Sequence, residues 1–383
     1  MKYTIIGAGI GGLAIALAFE KKGIEYRVFE RFTHLNDVGA GIWLSPNALQ
    51  VLDYLGVLDK VKKEGNSIDR IIIGKPDLSP ISDNPQNLIK DRFGYSAIAI
   101  HRAKLQKILI NKIPKNKILL GKDFESFQHS DNEKITVKFS DGTETQTDFL
   151  IGADGINSKI RNHIFPDSQL RYSGQTCWRG VANTELHSDF DHRVYELWGN
   201  QIRFGFSRIT KGKYYWFSVV LDSPNGKDDK TIVQDKLLTL FKDFHATVID
   251  LIKTTPIDKI IRSDINDLKP MPNWHEGNIC LIGDAGHATT PNMGQGGAQA
   301  IEDAYYLSNL IAKNPKPNNF EVFQQKRQSK VNTIVKQSWT TGKMAHWKYG
   351  TGFRNLILKS IPKRILYKKM IKLYEIDKTI KSN

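Results

Sequence analysis

Residues 3–30 read YTIIGAGIGGLAIALAFEKKGIEYRVFE, and the order of residue types in this stretch decides the fold. Four β-type residues (3–6) run into Gly7-x-Gly9-x-x-Gly12, then into a helical pattern that ends at Gly23. Residues 26–30 follow as a second strand that closes on an acid, Glu30. Strand, helix and strand in this order predict parallel strands joined by a right-handed crossover. Each glycine has a task in such a unit. The first allows a tight turn, the second lets backbone approach a pyrophosphate, and the third lets the helix pack closely on the sheet. The phosphates then sit on free N–H groups at a positive helix end. An acid about twenty residues on can accept from a ribose hydroxyl, which is the place of Glu30. A glycine turn that only packs its helix is the bland alternative; the helix, both strands and the distal acid argue against it. Arg31 either lies against an adenosine or is a solvated surface arginine.

Working outward, residues 282–297, IGDAGHATTPNMGQGG, supply a second glycine-rich turn. It too lies between a strand pattern (NICLIG, 278–283) and a helical one (AQAIEDAYYLSNLIA). A nicotinamide dinucleotide needs one such loop. FAD is longer, and its ribityl chain and isoalloxazine would use the other. Asp284 can accept from a ribityl or ribose hydroxyl. Gly294, Gly296 and Gly297 let backbone N–H groups face a flat, polar ring edge, and the positive helix end there suits a reduced flavin that carries negative charge.

The middle of the chain differs. CWRGVAN (177–183), RVYELW (193–198), IRFGFSR (202–208) and YYWFSVV (214–220) are β-branched and aromatic, and read as an antiparallel meander forming a pocket wall. KITVKF (134–139), Asp141-Gly142 and TQTDFLI (145–151) read as a hairpin leading into GADG. From about residue 320 the pattern is helical and increasingly basic.

The bulk numbers set limits. The length of 383 residues allows two or three domains. Two distant cysteines, Cys177 and Cys280, exclude a disulfide framework and a CxxC metal site, so no metal is expected. With β structure starting at about residue 3 and no apolar run of membrane length, the expectation is a cytoplasmic protein. The net charge of +15 would suit nucleic acid, anionic membrane or anionic small molecules, but no nucleic-acid motif accompanies it.

Three motifs in this order, GAGIGG with Glu30, GADGINSKIR (152–161) and GDAGHATTPNMGQGG (283–297), make the chain resemble the class A flavoprotein monooxygenases. That group includes para-hydroxybenzoate, salicylate and urate hydroxylases and the tetracycline-inactivating monooxygenases; the resemblance spans residues 1–310. It implies an α/β fold: a discontinuous Rossmann-type FAD-binding domain (1–75, 96–172, 270–320), an inserted antiparallel substrate domain (76–95, 173–269) and C-terminal helices (321–383). It implies that NAD(P)H, a transient co-substrate, reduces FAD, and that a flavin C4a-hydroperoxide then hydroxylates a small aromatic or polycyclic substrate with O₂. Residue by residue, it puts Gly7, Gly9, Gly12 and Glu30 on the ADP half of FAD. Arg102 and Phe124 are also cofactor contacts, as are Asp154 and Gly155. Asp284 meets the ribityl chain, Pro291, Gly294, Gln295, Gly296 and Gly297 line the ring, and the loop Gly39–Trp43 lies on the ring's other side. His287 is expected to be structural rather than a base.

Within the same resemblance, Arg203 and Tyr215 fall where urate hydroxylases hold substrate, and Arg179 at a further pocket position. All three are alternatively ordinary strand residues. Asn292 stands where urate-hydroxylase-type members carry Asp, which argues against urate itself. The Trp-x-Trp-x-Ile-Pro signature of flavin halogenases is absent. Three other readings stay open: oxidation of an antibiotic such as a tetracycline, a flavin reductase or epoxidase acting on an isoprenoid, and a non-enzymatic basic binding protein. The basic C-terminal helix is expected to cover the two domains and expose its lysines, rather than to touch a membrane. Substrate identity, NADH against NADPH, and monomer against dimer are not legible.

Overall fold

The structure is a computed structural model that describes residues 1–34, 40–130, 134–314, 316 and 318–378. The elements that build the site begin with β1 (Lys2–Ile6), α1 (Ile10–Lys22), β2 (Glu25–Glu30), β3 (Gly41–Leu44), α2 (Arg102–Ile110), β4 (Phe149–Gly152) and α3 (Lys159–Ile164). Next come β5 (Leu170–Asn183), β6 (Arg193–Trp198), β7 (Ile202–Thr210), β8 (Lys213–Leu221), α4 (Val233–Leu240), α5 (Ala246–Lys253), β9 (Ile261–Leu268) and β10 (Ile279–Leu281). The chain ends in α6 (Gly296–Lys313), α7 (Asn318–Ala345), α8 (Thr351–Ser360) and α9 (Lys363–Tyr374).

β1 is flanked by β2 and β4, both parallel to it, and β10 adds in parallel beyond β4. The crossover helix α1 stops where the sequence says it should: Gly23 adopts φ 65° and its N–H returns to the Glu20 carbonyl, a left-handed C-cap. From Ile10 to Phe19 nearly every α1 side chain is buried, because the helix is covered both by the sheet and by α6. Both helices therefore start at the same end of the parallel sheet. The expected hairpin forms, but its second arm is cut at Asp148. Glu144–Thr147 pairs with Ile135–Phe139, and Phe149–Gly152 crosses into the parallel sheet as β4.

Among the described residues a second, seven-stranded sheet runs β9–β5–β8–β7–β6, then Arg70–Gly74 and Pro80–Pro85. It is antiparallel except where Arg70–Gly74 runs parallel to β6. The strand Arg70–Gly74 thus belongs to this sheet by pairing, although the sequence reading groups it with the FAD-binding segments. Strand alternation gives the sheet two different faces. Trp178, Tyr195, Phe204, Phe206, Tyr214 and Trp216 point one way, into an aromatic core closed by α4 and α5. So Tyr214 and Trp216 of the YYW run are core, and Tyr215 between them faces the other way.

Candidate active site

The first glycine turn is built as a cradle. Gly7 sits at φ 104°, and its N–H donates to the Phe29 carbonyl at 2.7 Å. A Cβ on Gly12 would overlap the Gly7 carbonyl oxygen, so only glycine allows α1 to come this close. Space above Gly9 holds no protein atom within 4 Å of where a Cβ would stand. Glu30, buried at the end of β2, accepts from the Ala8 N–H at 2.7 Å and the Phe32 N–H at 3.1 Å. Its carboxylate fixes the loop and still has acceptor capacity for a ribose.

The second turn closes over the same space. One cleft is lined by Gly9 and Gly11 of the first turn, by Gly155 beyond β4, by Arg102 at the start of α2, and by Asp284 and Gly296 of the second turn. The two glycine-rich loops, some 270 residues apart in sequence, therefore share one cavity, with the N-termini of α1 and α6 both directed at it. The Asp284 carboxylate opens into this cleft and accepts no hydrogen bond among the described residues. Its protein-walled setting pushes its pKa up, while His287 and Arg102 pull it down. Asp154 uses one oxygen to cap α3 through the Lys159 and Ile160 N–H groups, at 2.8 and 3.3 Å. Its other oxygen is buried without a partner. Burial likewise holds the Asp154 pKa above the ordinary carboxylate value. Overlapping glycine cradles, two helix N-termini and carboxylate oxygens left to accept are the donor and acceptor set that a dinucleotide with a ribityl chain requires. The residues present fit FAD.

Beneath the second turn lies a buried ionic network that fixes its shape. Asp303 of α6 accepts from the Gly283 N–H at 2.9 Å and from His287 Nε2 at 2.6 Å, and its other oxygen from Arg327 Nε at 2.9 Å. Arg327 also pairs with Glu302, which Lys330 holds at 2.8 Å. Burial alone would raise the Asp303 pKa; the His287 and Arg327 charges hold it below the usual value. His287 thus faces Asp303 and Trp274, not the cleft. The Gln295 side chain also turns inward, donating to Ser45 Oγ at 2.9 Å and accepting from Asn47 and Gln299. Only its backbone is placed to serve a ring.

The other face of the seven-stranded sheet forms the opposite wall. Arg179, Arg203 and Tyr215 all project from it, together with Ser207 and Phe217. Trp43 of β3 crosses from the nucleotide side, donates to Ser207 Oγ at 2.9 Å, and meets Tyr215 and Phe217 edge-on at ring separations of 6.3 and 5.7 Å. A side chain at Gly41 would collide with the Tyr215 ring, so glycine is what lets β3 lie against this wall. Burial pushes the Tyr215 hydroxyl above the ordinary phenol range. It stays protonated at neutral pH and can donate to a substrate oxygen, but is a poor base.

Arg203 is almost fully buried. It pairs with Glu196 at 3.0 Å and donates to Gln175 Oε1 at 3.5 Å and to Asn292 Oδ1. It joins the sheet to the segment after Pro291, rather than standing free in a pocket. Arg179 differs in its charge balance: it donates to Ser263 Oγ at 2.5 Å and pairs with no carboxylate among the described residues, while its Nε, like that of Arg203, is buried without a partner.

Other predicted residues lie further out. Arg31 is exposed and stacks on Phe32 at 4.8 Å. The Phe124 ring is buried, and its carbonyl accepts from Lys159 Nζ at 2.9 Å. Pro291 is exposed at the lip of the second turn. Gly39 lies outside the described residues. Sequence reasoning missed Gln175, Glu196 and His346. Gln175 could have been found by counting alternate positions back from Arg179; Glu196 shares the face of Arg203 only through the pairing register of β6 with β7. His346, at the end of α7, gave no sequence signal. Its Nδ1 lies 3.0 Å from the Gly342 carbonyl and 3.2 Å from Gln175 Nε2, and its Nε2 lies 3.3 Å from the Val219 carbonyl. A second cleft, between Asp53, Tyr95 and Tyr305, touches neither glycine turn.

Comparison with known proteins agrees with this geometry. A family model described as an FAD binding domain matches residues 1–338. The chain is 37% identical over 345 residues to the aurachin C monooxygenase/isomerase of Stigmatella aurantiaca, covering 90% of this chain and 89% of that one. It is 32% identical over 368 residues, 94% of each chain, to the 2-heptyl-3-hydroxy-4(1H)-quinolone synthase of Pseudomonas aeruginosa. The crystal structure of Klebsiella pneumoniae HpxO with FAD and uric acid superposes with a TM-score of 0.90 at 25% identity, over 98% of this chain and 96% of that one.

Proposed function

The chain belongs to the FAD-dependent monooxygenases built on this FAD binding domain, and from that premise we propose that it hydroxylates a flat, bicyclic nitrogen heterocycle of the 4(1H)-quinolone kind bearing an apolar tail. FAD, reduced by NAD(P)H, supplies the oxygen-activating chemistry. The protein's own residues bind, orient and exclude water. Backbone N–H groups at the starts of α1 and α6 take the negative charges of the cofactor, and Asp284 and Glu30 take its hydroxyls. Trp43, Tyr215 and Phe217 pack on one another as an apolar wall against which a flat ring would lie.

The observation that carries the substrate class is the difference between the two wall arginines. Arg203 is neutralised by Glu196 and tied to Asn292, so it offers no free charge. Arg179 has no carboxylate partner among the described residues, so its charge is not neutralised, and burial holds the adjacent Tyr215 hydroxyl protonated. Two donors beside an aromatic wall suit a ring with one carbonyl or enolate oxygen. One close relative is named for a 3-hydroxy-4(1H)-quinolone with a heptyl chain, and the solved neighbour holds uric acid, another bicyclic nitrogen heterocycle.

The test is substrate-stimulated NAD(P)H consumption by the purified yellow protein, with 2-alkyl-4(1H)-quinolones, uric acid and salicylate compared, and product mass read for one added oxygen. Stimulation and hydroxylation with the alkylquinolone are expected. Coupled turnover of uric acid or salicylate with none of the alkylquinolone would overturn the substrate class.

A further inference from the structure

The C-terminal helices carry a surface that the oxygenase chemistry does not use. Of the large apolar side chains that stand exposed, Trp347, Tyr349, Phe353, Leu356, Ile357, Ile361 and Ile365 fall within nineteen consecutive residues. Phe353 and Leu356 are 64% and 60% exposed. Along α8 the positions 353, 356 and 357 repeat at helical spacing, so they form one outward stripe. On α9, Ile365 shares its outward side with Lys368, Lys369 and Lys372, while Tyr374 is buried and Tyr367 donates to the Leu88 carbonyl at 3.2 Å. The helices are therefore docked by one face, as the sequence suggested. Their other face is apolar as well as basic, which it did not.

Along the chain, the charge beside this stripe has one sign. From Thr341 to Tyr374 the sequence holds nine Lys or Arg and no Asp or Glu. All but Arg354 are exposed. Arg354 is buried and anchors α8 to the body, donating to the Ala345 carbonyl at 2.9 Å and lying 5.1 Å from the Trp198 ring. Trp198 in turn donates to Glu196, the partner of Arg203. The exposed stripe is thus rooted in the substrate-side wall.

We propose that α8, α9 and the turn before them form a membrane-surface site, with the apolar stripe inserted at the headgroup boundary of an anionic bilayer and the lysines on its phosphates. Exposed aromatic and aliphatic side chains flanked along the chain by cations are what such an interface selects. Long lysine side chains lay their stems along apolar surface and keep the charge among the headgroups. A second copy of the face is a poor occupant, because two sets of cations would meet. No helix of the described residues is long and apolar enough to cross a membrane, so the contact is peripheral. The inference stands independently of the substrate class.

The test uses the FAD-loaded full chain in flotation with phosphatidylcholine vesicles, with and without phosphatidylglycerol. Wild type floats with the anionic vesicles, and raised salt weakens but does not abolish the binding. The triple variant Phe353→Ser, Leu356→Ser, Ile357→Ser keeps its flavin spectrum and loses about tenfold or more of the partitioning. Lys363→Glu with Lys368→Glu removes the preference for phosphatidylglycerol. Absence of flotation with anionic vesicles overturns the proposal. So does a triple variant that binds as well as wild type, which would leave only surface adsorption of charge. An oligomer that the triple variant dissociates, without vesicle binding, assigns the face to a second copy instead.

Discussion

The two sides of the candidate active site are made by opposite means. On the nucleotide side the contact surface is bare backbone: glycine removes side chains, and two helix N-termini supply the polarity. On the sheet side the contact surface is side chains, chosen by strand alternation and held by one another. The first kind of surface tolerates no added atom at its closest points. The second tolerates exchange, at a cost set by which neighbours lose a partner. The difference predicts how each side breaks.

The largest effect should come from the backbone side. Gly12→Val puts side-chain atoms onto the Gly7 carbonyl, so the purified protein should be colourless or insoluble, with FAD affinity down by about 100-fold or more. A yellow Gly12→Val protein would break the contrast. Next is the support beneath the second turn. Arg327→Met leaves Glu302 and Asp303 without their buried cation and should cost about 3–5 kcal/mol, read as a lowered Tm. Flavin binding should weaken with it, because Asp303 also holds the Gly283 N–H.

The sheet side yields smaller effects. Burial, reinforced by the Arg203 charge, lowers the His346 pKa to about 4. Between that value and the ordinary unfolded value of about 6.5, the unfolded chain binds more protons, so stability rises with pH across this window. Stability should therefore fall as pH is lowered from about 6.5 towards 4, by on the order of 3 kcal/mol from this residue. His346→Gln should flatten that part of the Tm–pH curve; an unchanged curve would remove the residue from the account. Arg203→Gln should keep FAD and its spectrum but lower kcat/KM by about 10–100-fold, because Asn292 and Glu196 lose their common partner. Unchanged substrate-dependent kinetics would detach Arg203 from the site. The smallest effect belongs to Ser207→Ala, which leaves the Trp43 indole N–H without its acceptor and should cost about 1 kcal/mol of stability with little change in turnover.

The same contrast explains what could be read in advance. A backbone cradle leaves a signature in sequence, because only glycine satisfies it. Gly7, Gly9, Gly12, Asp284 and the turn through Gly297 were legible for that reason, and with them the parallel sheet and both helix starts. The wall was legible only as a set of strands. That Arg179, Arg203 and Tyr215 share a face follows from alternation once the register is known. That Arg203 is neutralised while Arg179 is not depends on Glu196 and Asn292 arriving from β6 and from the second turn. Arg70–Gly74 joined the substrate sheet because β6 offered a parallel edge, a long-range choice that its own residues do not encode. The exposed stripe on α8 was hidden by composition: the lysines of neighbouring α9 dominate the segment, and which face the apolar residues of α8 take depends on how Arg354 docks the helix.

The central claim is that two glycine turns far apart in sequence grip one FAD. Its most direct test is a calorimetric FAD titration of apoprotein, comparing wild type with Asp284→Ala. One FAD per chain is expected in both, with affinity about tenfold weaker in the variant, because its carboxylate opens into the shared cleft and the loss of a charged acceptor there is felt by the cofactor. An Asp284→Ala protein that binds FAD as tightly as wild type would contradict it.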